Sequence, residues 1–184
     1  MPGHSCGQVN QMNIKFRFYR ISDLDSVVRW AQDDEVAFWW HESAMSEEDI
    51  RSKWEASALR DDENMQIFIV TVEDIDVGVI QTYRLAGYPD QAAEVQIPDA
   101  SGIDVFIGLP EWRNRGIGAA LIRQFVDEIV FADLSIKRCT IDPNPDNLRA
   151  IRAYENAGFQ YVRSYLSEVN PGNVYLMVKE RTSK

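Results

Sequence analysis

One central mixed sheet with helices on both faces, an α/β domain of mostly antiparallel strands, is the fold this sequence predicts. Three observations carry that expectation. Apolar residues recur at strand and helix spacings in the order β-α-α-β-β-β-α-β-α-β-β. The chain has 184 residues, the length of one domain with a substantial core. No repeat or linker divides it, so 13–184 reads as a single domain behind a flexible leader at 1–12.

The elements follow in order. Phe16, Phe18 and Ile21 open an alternating strand. Ser22 and Asp23 offer an N-cap to a helix carrying Leu24, Val27, Val28 and Ala31 on one face. Ser46-Glu47-Glu48-Asp49 reads as a capping box that opens a second helix through Trp54 to Leu59. Residues 66–72 and 77–84 form a hairpin, and 86–100 reads as a long Gly-, Pro- and Asp-containing loop. Strand 102–108 leads into a helix striped by Ile117, Ala120, Leu121, Phe125 and Ile129. Strand 138–141 ends at Asp142-Pro143-Asn144-Pro145. Asp146 or Asn147 then caps a helix closed by Gly158, and strands 159–163 and 174–179 follow.

Composition narrows the partners. The net charge of −10 argues against nucleic acid and anionic membrane and permits a cationic small molecule. Residues 1–12 lack a signal-peptide core and no apolar run reaches membrane length, so a cytoplasmic protein is expected. Two cysteines make no disulfide framework and fit a reducing compartment. His4 and Cys6 are too few for a metal site, so no metal is expected. Cys139 reads as a structural thiol within a strand.

The chemistry concentrates where a strand meets a helix. Arg113-Asn114-Arg115-Gly116-Ile117-Gly118-Ala119 places two glycines and two cations at a helix N-terminus. Glycines let a ligand approach the backbone, and the unpaired N–H groups of a first helical turn attract anions. A Walker loop would need Lys and then Ser or Thr after the last glycine. A Rossmann turn would need a third glycine at the position of Leu121.

Arg113-x-x-Gly116-x-Gly118 is similar to the Q/R-x-x-G-x-G/A signature of the GCN5-related N-acetyltransferase (GNAT) superfamily, and the resemblance extends over about residues 14–180. The resemblance implies acetyl-CoA as co-substrate. It implies that the backbone of Arg113, Asn114, Arg115, Gly116, Ile117, Gly118 and Ala119 binds the coenzyme pyrophosphate. It also implies that strand 102–108 splays from strand 138–142, so that Val105, Ile107, Asn147 and Ala150 flank the pantetheine arm.

A narrower likeness rests on the run from Asp142-Pro143 through Asn147-Leu148-Arg149-Ala150-Ile151-Arg152 and Tyr154 to Gly158-Phe159. With Trp39-Trp40, Gln81-x-Tyr83 and Gly102-Ile103-Asp104, it resembles the aminoglycoside 6′-N-acetyltransferases. That family carries tryptophans after the position of Asp90, where this chain has Gln91-Ala92-Ala93. Siderophore-type N-acyltransferases share related blocks, so a hydroxylamine or polyamine acceptor is the alternative.

Acetyl transfer to an amine needs a neutral nucleophile, oxyanion donors and a protonated leaving thiol. Asp104 is the expected base or amine-orienting group, and a strand-edge carboxylate is its bland reading. Tyr154 holds the position at which the resemblance implies a thiol-side acid, and Val105 supplies the candidate oxyanion amide. Asp142 either binds a substrate ammonium or caps the Asp-Pro turn. Asn147 caps its helix and, by resemblance, touches pantetheine. Trp39 and Trp40, with Glu35, His41 and Glu42, resemble a sugar platform, to which Tyr83 adds. Asp90, Glu94 and Asp99 make a candidate acidic lid. A monomer or weak homodimer is expected.

Overall fold

The computed structural model describes residues 12–170 and 172–182. His4 and Cys6 lie outside the described residues. The strands are β1 (Ile14–Phe18), β2 (Met65–Val72), β3 (Ile75–Arg84), β4 (Ala100–Ile107), β5 (Arg138–Ile141), β6 (Gln160–Ser167) and β7 (Gly172–Glu180). They form one sheet in the order β1-β2-β3-β4-β5-β7-β6. Only β4 and β5 pair in parallel, and every other neighbouring pair is antiparallel.

Helices cover both faces. The helices α1 (Leu24–Ala31), α2 (Asp34–Trp39) and α3 (Glu47–Leu59) pack Val28, Val36 and Trp54 against Ile69, Val79 and Phe106. On the other face α5 (Ile117–Glu128) and α6 (Leu148–Asn156) pack Leu121, Phe125 and Ile151 with Val70, Ile80 and Ile103. Because side chains alternate along a strand, β4 sends Ile103, Val105 and Ile107 toward α5 and α6 and sends Phe106 the opposite way. Asp104 shares the Phe106 side.

β4 and β5 are paired only over Ala100–Gly102. Beyond that point β5 ends, because Pro143 has no N–H with which to continue the ladder. On β4, Tyr83 packs over Gly102 so closely that a Cβ there would lie 2.4 Å from its ring. The two strands part past Gly102 and leave an open V.

Local signals behave as their chemistry requires. The Ser46 hydroxyl accepts from Asp49 N at 3.1 Å, and the Asp49 carboxylate accepts in return from Ser46 N at 3.1 Å. The Asn147 side chain accepts from Ala150 N at 3.1 Å. Gly158 takes φ 99 after α6, a conformation that favours glycine.

Three expectations need correction. The first strand stops at Phe18, and Ile21 begins a 3-10 turn. The predicted order has no helix between Ala31 and Ser46, yet Trp39 ends a short one. The Asp33 carboxylate starts that helix by accepting from Glu35 N and Val36 N at 3.2 and 3.3 Å. The loop 86–100 contains a further helix, α4 (Pro89–Val95), with proline in the first turn where its missing N–H costs nothing. Among the described residues no helix is long and apolar enough to cross a membrane.

Candidate active site

The V between β4 and β5 opens into a cleft of about 770 Å³. Its phosphate end is built from backbone. Gly116 enters α5 at φ 76 with no side-chain cap on the first turn. The amides of Ile117, Gly118 and Ala119 therefore have no intrahelical partner. A Cβ on Gly116 would meet nothing within 4 Å, and one on Gly118 only the Ala153 Cβ at 3.8 Å. Gly116, Gly118 and Ala119 line the cleft, as do Asn114, Val105 and Ile107 from the β4 side and Asn147 and Ala150 from α6. Open amides, no overlying side chain and a partial positive charge fit a pyrophosphate.

Arg113 lines that space but its charge is engaged by protein partners, and Arg115 lies outside the lining. The Arg113 guanidinium donates to the carbonyls of Ile107 at 2.8 Å and Gly108 at 3.0 Å and pairs with Asp33 at 2.8 Å. It ties the end of β4 to the start of α2 and leaves only the backbone at that position for a ligand. Arg115 lies exposed over the Trp112 ring at 5.7 Å, outside the cleft lining. Ile117 turns its side chain into the core, so that it too offers only its amide.

Two carboxylates and a phenol, Asp104, Asp142 and Tyr154, share the cleft lining. The Asp104 carboxylate accepts from Gln81 Nε2 at 2.7 Å. Burial raises its pKa, opposed by that hydrogen bond and by the charge of Lys53. Asp142 is pushed up to about 7, first by burial and then by the charge of Asp104. Tyr154, buried on α6, is raised by burial and by both carboxylates, so it stays protonated. Asp104 approaches from the α1–α3 side and Tyr154 from the α6 side.

Trp39, Trp40, Glu35 and His41 line the acceptor side. Trp40 is fixed by an edge contact with Phe106 at 4.9 Å and a tilted contact with Trp54 at 5.9 Å.

Three residues expected at the substrate do not line the cleft. Glu42 is buried against Lys53, whose ammonium also sits 5.8 Å over the Trp40 ring. Tyr83 is buried beneath Gly102, and its hydroxyl accepts from Gln91 Nε2 at 3.0 Å. Asp90 is exposed on α4. Glu94 and Asp99, expected with Asp90 as an acidic lid, also lie outside the cleft lining. The Glu94 carboxylate accepts from Ser167 Oγ at 2.6 Å and from the amides of Glu168 and Val169 at 2.6 and 3.2 Å. The Asp99 carbonyl accepts from Lys137 N at 2.8 Å.

The cleft also holds residues to which the sequence analysis assigns no role, among them Trp112, Asn144, Arg149 and Arg152. The spacing of Arg149, Arg152 and Asn156 with Ala153 places them along one side of α6, a signal that the run 147–159 contains. Cys139 is buried, and burial pushes its thiol up, as befits a structural residue.

An uncapped glycine-rich helix start, a splayed sheet, a carboxylate and a protonated phenol in one cleft define an acyltransferase whose donor carries a phosphate-bearing arm. The chain belongs to the GNAT acetyltransferase family, whose domain model, described as an acetyltransferase (GNAT) domain, matches residues 21–165. It is 29% identical over 151 residues to the aminoglycoside N(6′)-acetyltransferase type 1 of Klebsiella pneumoniae, covering 80% of this chain and 74% of that one. A kanamycin resistance protein of Rhizobium radiobacter is 41% identical over 63 residues, 34% of this chain and 57% of its relative. Among solved structures, the aminoglycoside acetyltransferase AAC(6′)-Ib with coenzyme A and kanamycin superposes with a TM-score of 0.80 at 26% identity, covering 92% of this chain and 95% of that one.

Proposed function

We propose that this chain transfers acetyl from acetyl-CoA to the 6′-amine of an aminoglycoside in the cytoplasm. The observation that carries the reading is the Asp104–Asp142 carboxylate pair in a cleft walled by Trp39 and Trp40. The charge of Asp104 raises the pKa of buried Asp142, and an ammonium placed between the two carboxyls relieves that repulsion. The aromatic wall suits the apolar faces of sugar rings. The relatives that act on aminoglycosides, and the net charge of −10, agree.

Acetyl-CoA supplies an acyl group activated as a thioester. The first-turn amides of α5 hold its pyrophosphate, and Val105, Ile107, Asn147 and Ala150 flank its arm. A β4 backbone N–H, with Val105 the candidate, donates to the thioester carbonyl oxygen. Asp142 holds the acceptor ammonium, and Asp104 takes its proton, directly or through one water. The amine nitrogen then bonds to the acyl carbon as the carbon–sulfur bond breaks. Tyr154 donates its proton to the departing sulfur, and the second proton shed by the acylated nitrogen returns through water to the phenolate, so amide and free thiol leave with one proton held on Asp104. Protonation of Asp104 removes one of the two carboxylate charges that help to hold the phenol protonated, which eases that donation.

The test is to mix purified protein with acetyl-CoA and kanamycin and follow thiol release, with mass spectrometry locating the new acetyl group. The reading expects acceptor-dependent release and acetylation at the 6′-amine. No release above background across several aminoglycosides would refute it.

A further inference from the structure

One ion pair joins the two helical layers across the cleft. Glu35 belongs to α2, on one face of the sheet, and Arg149 to the first turn of α6, on the other. Their side chains pair. Because the sheet separates the layers, the pair closes through the gap where β4 and β5 have parted, and both residues line the cleft. Arg113 also lies 3.3 Å from the Glu35 carboxylate, but it is held independently by Asp33 and two carbonyls. Arg149 has no other ion-pair partner among the described residues and keeps half its side-chain surface exposed. A pair this exposed is weak and exchanges partners readily. The open amides of the α5 first turn line the same cleft.

We propose that the Glu35–Arg149 pair is a strap that the coenzyme opens: Arg149 passes to a coenzyme phosphate, and the released Glu35 becomes an ammonium site for the acceptor. The inference rests on the acetyl-CoA and aminoglycoside reading above and assigns two residues to it. A phosphate group offers a guanidinium more charge and more acceptor oxygens than a carboxylate does, so the exchange favours the coenzyme. Glu35 stands beside Trp39 and His41 in the cleft lining. Once unpaired, it adds a third carboxylate to Asp104 and Asp142. The consequence is coupling: coenzyme binding strengthens acceptor binding, and by linkage the acceptor strengthens coenzyme binding.

Calorimetry with coenzyme A on wild type, Glu35→Gln, Arg149→Met and the double variant tests the strap. The two ends of one pair should give opposite signs. Glu35→Gln frees Arg149 and should tighten coenzyme A several-fold, whereas Arg149→Met should weaken it about tenfold. In the Arg149→Met background, Glu35→Gln should change coenzyme affinity by less than about twofold. In wild type, coenzyme A should strengthen kanamycin binding about fivefold or more, and either single variant should bring that ratio close to one.

The strap is overturned if Glu35→Gln leaves coenzyme affinity unchanged or lowers it. It is overturned equally if Glu35→Gln tightens coenzyme A as much in the Arg149→Met background as it does with Arg149 in place, which is charge repulsion alone. A wild-type protein that binds no coenzyme A overturns the functional reading and the strap with it. One that binds coenzyme A but no kanamycin overturns the acceptor assignment, while the coenzyme titrations still decide whether Arg149 is shared.

Discussion

The two walls of the cleft are made of different material. The α5 wall presents backbone: three unpaired amides, two glycines and small side chains. The acceptor wall presents side chains: Trp39, Trp40, Glu35, Asp104 and Asp142, brought together from α2, β4 and the end of β5. A backbone cradle depends on a few contiguous residues and holds any ligand with the same phosphate. A wall of side chains depends on packing between distant segments, so it sets which acceptor reacts. Apart from the Glu35–Arg149 pair that bridges them, replacements on one wall should leave the function of the other intact, and that separation is open to attack.

The largest effect is expected from Asp104→Asn. It keeps the Gln81 hydrogen bond in reach but removes the base, and kcat/KM in the thiol-release assay should fall by about 10²–10⁴. Coenzyme affinity by calorimetry should not move. If both fall together, the walls are not separable. Tyr154→Phe should cost about ten- to a hundredfold in kcat with the acceptor KM unchanged, which places the phenol at the sulfur rather than at the amine.

Asp142→Asn gives a smaller effect with a distinctive pH dependence. The carboxyl has a folded pKa near 7, above its unfolded value of about 3.9. Between these values the folded state binds the extra proton, so wild-type stability falls as pH rises through 7. The variant lacks that carboxyl. It should therefore melt a few degrees above wild type at pH 8, with the gap narrowing at pH 5 and closing near pH 4. Its acceptor KM should rise. A gap that is the same at every pH would remove the buried carboxylate from the account.

The same division explains what the sequence could show. Arg113 to Ala119, the Ser46 box, the Asn147 cap and Gly158 are local devices, in which residue type and spacing determine geometry within one turn. They were legible, as were the sheet and its covered faces. Which way a side chain turns is a tertiary matter. Glu42 sits one residue past Trp40-His41, yet Lys53, eleven positions on, draws it into the protein. Arg113 bears the charge of a phosphate ligand but is taken by Asp33 and two carbonyls. Gln81-x-Tyr83 and Gly102-Ile103-Asp104 were visible as blocks, but their logic needed the register. Gln81 faces Asp104 and Tyr83 faces Gly102 across the β3–β4 ladder. Helix α4 was not legible because its seven residues, with Val95 the one large apolar side chain, carry no sustained periodicity.

The most direct test is an acetyl-CoA titration of wild type and Gly118→Asp, with melting curves run in parallel. The new side chain has room, and an acid in the first turn suits the helix dipole, so the variant should melt as wild type does. Acetyl-CoA should bind wild type and lose about a hundredfold in affinity, about 2.7 kcal/mol, on the variant. Equal affinity for the two proteins would contradict the backbone cradle at the start of α5.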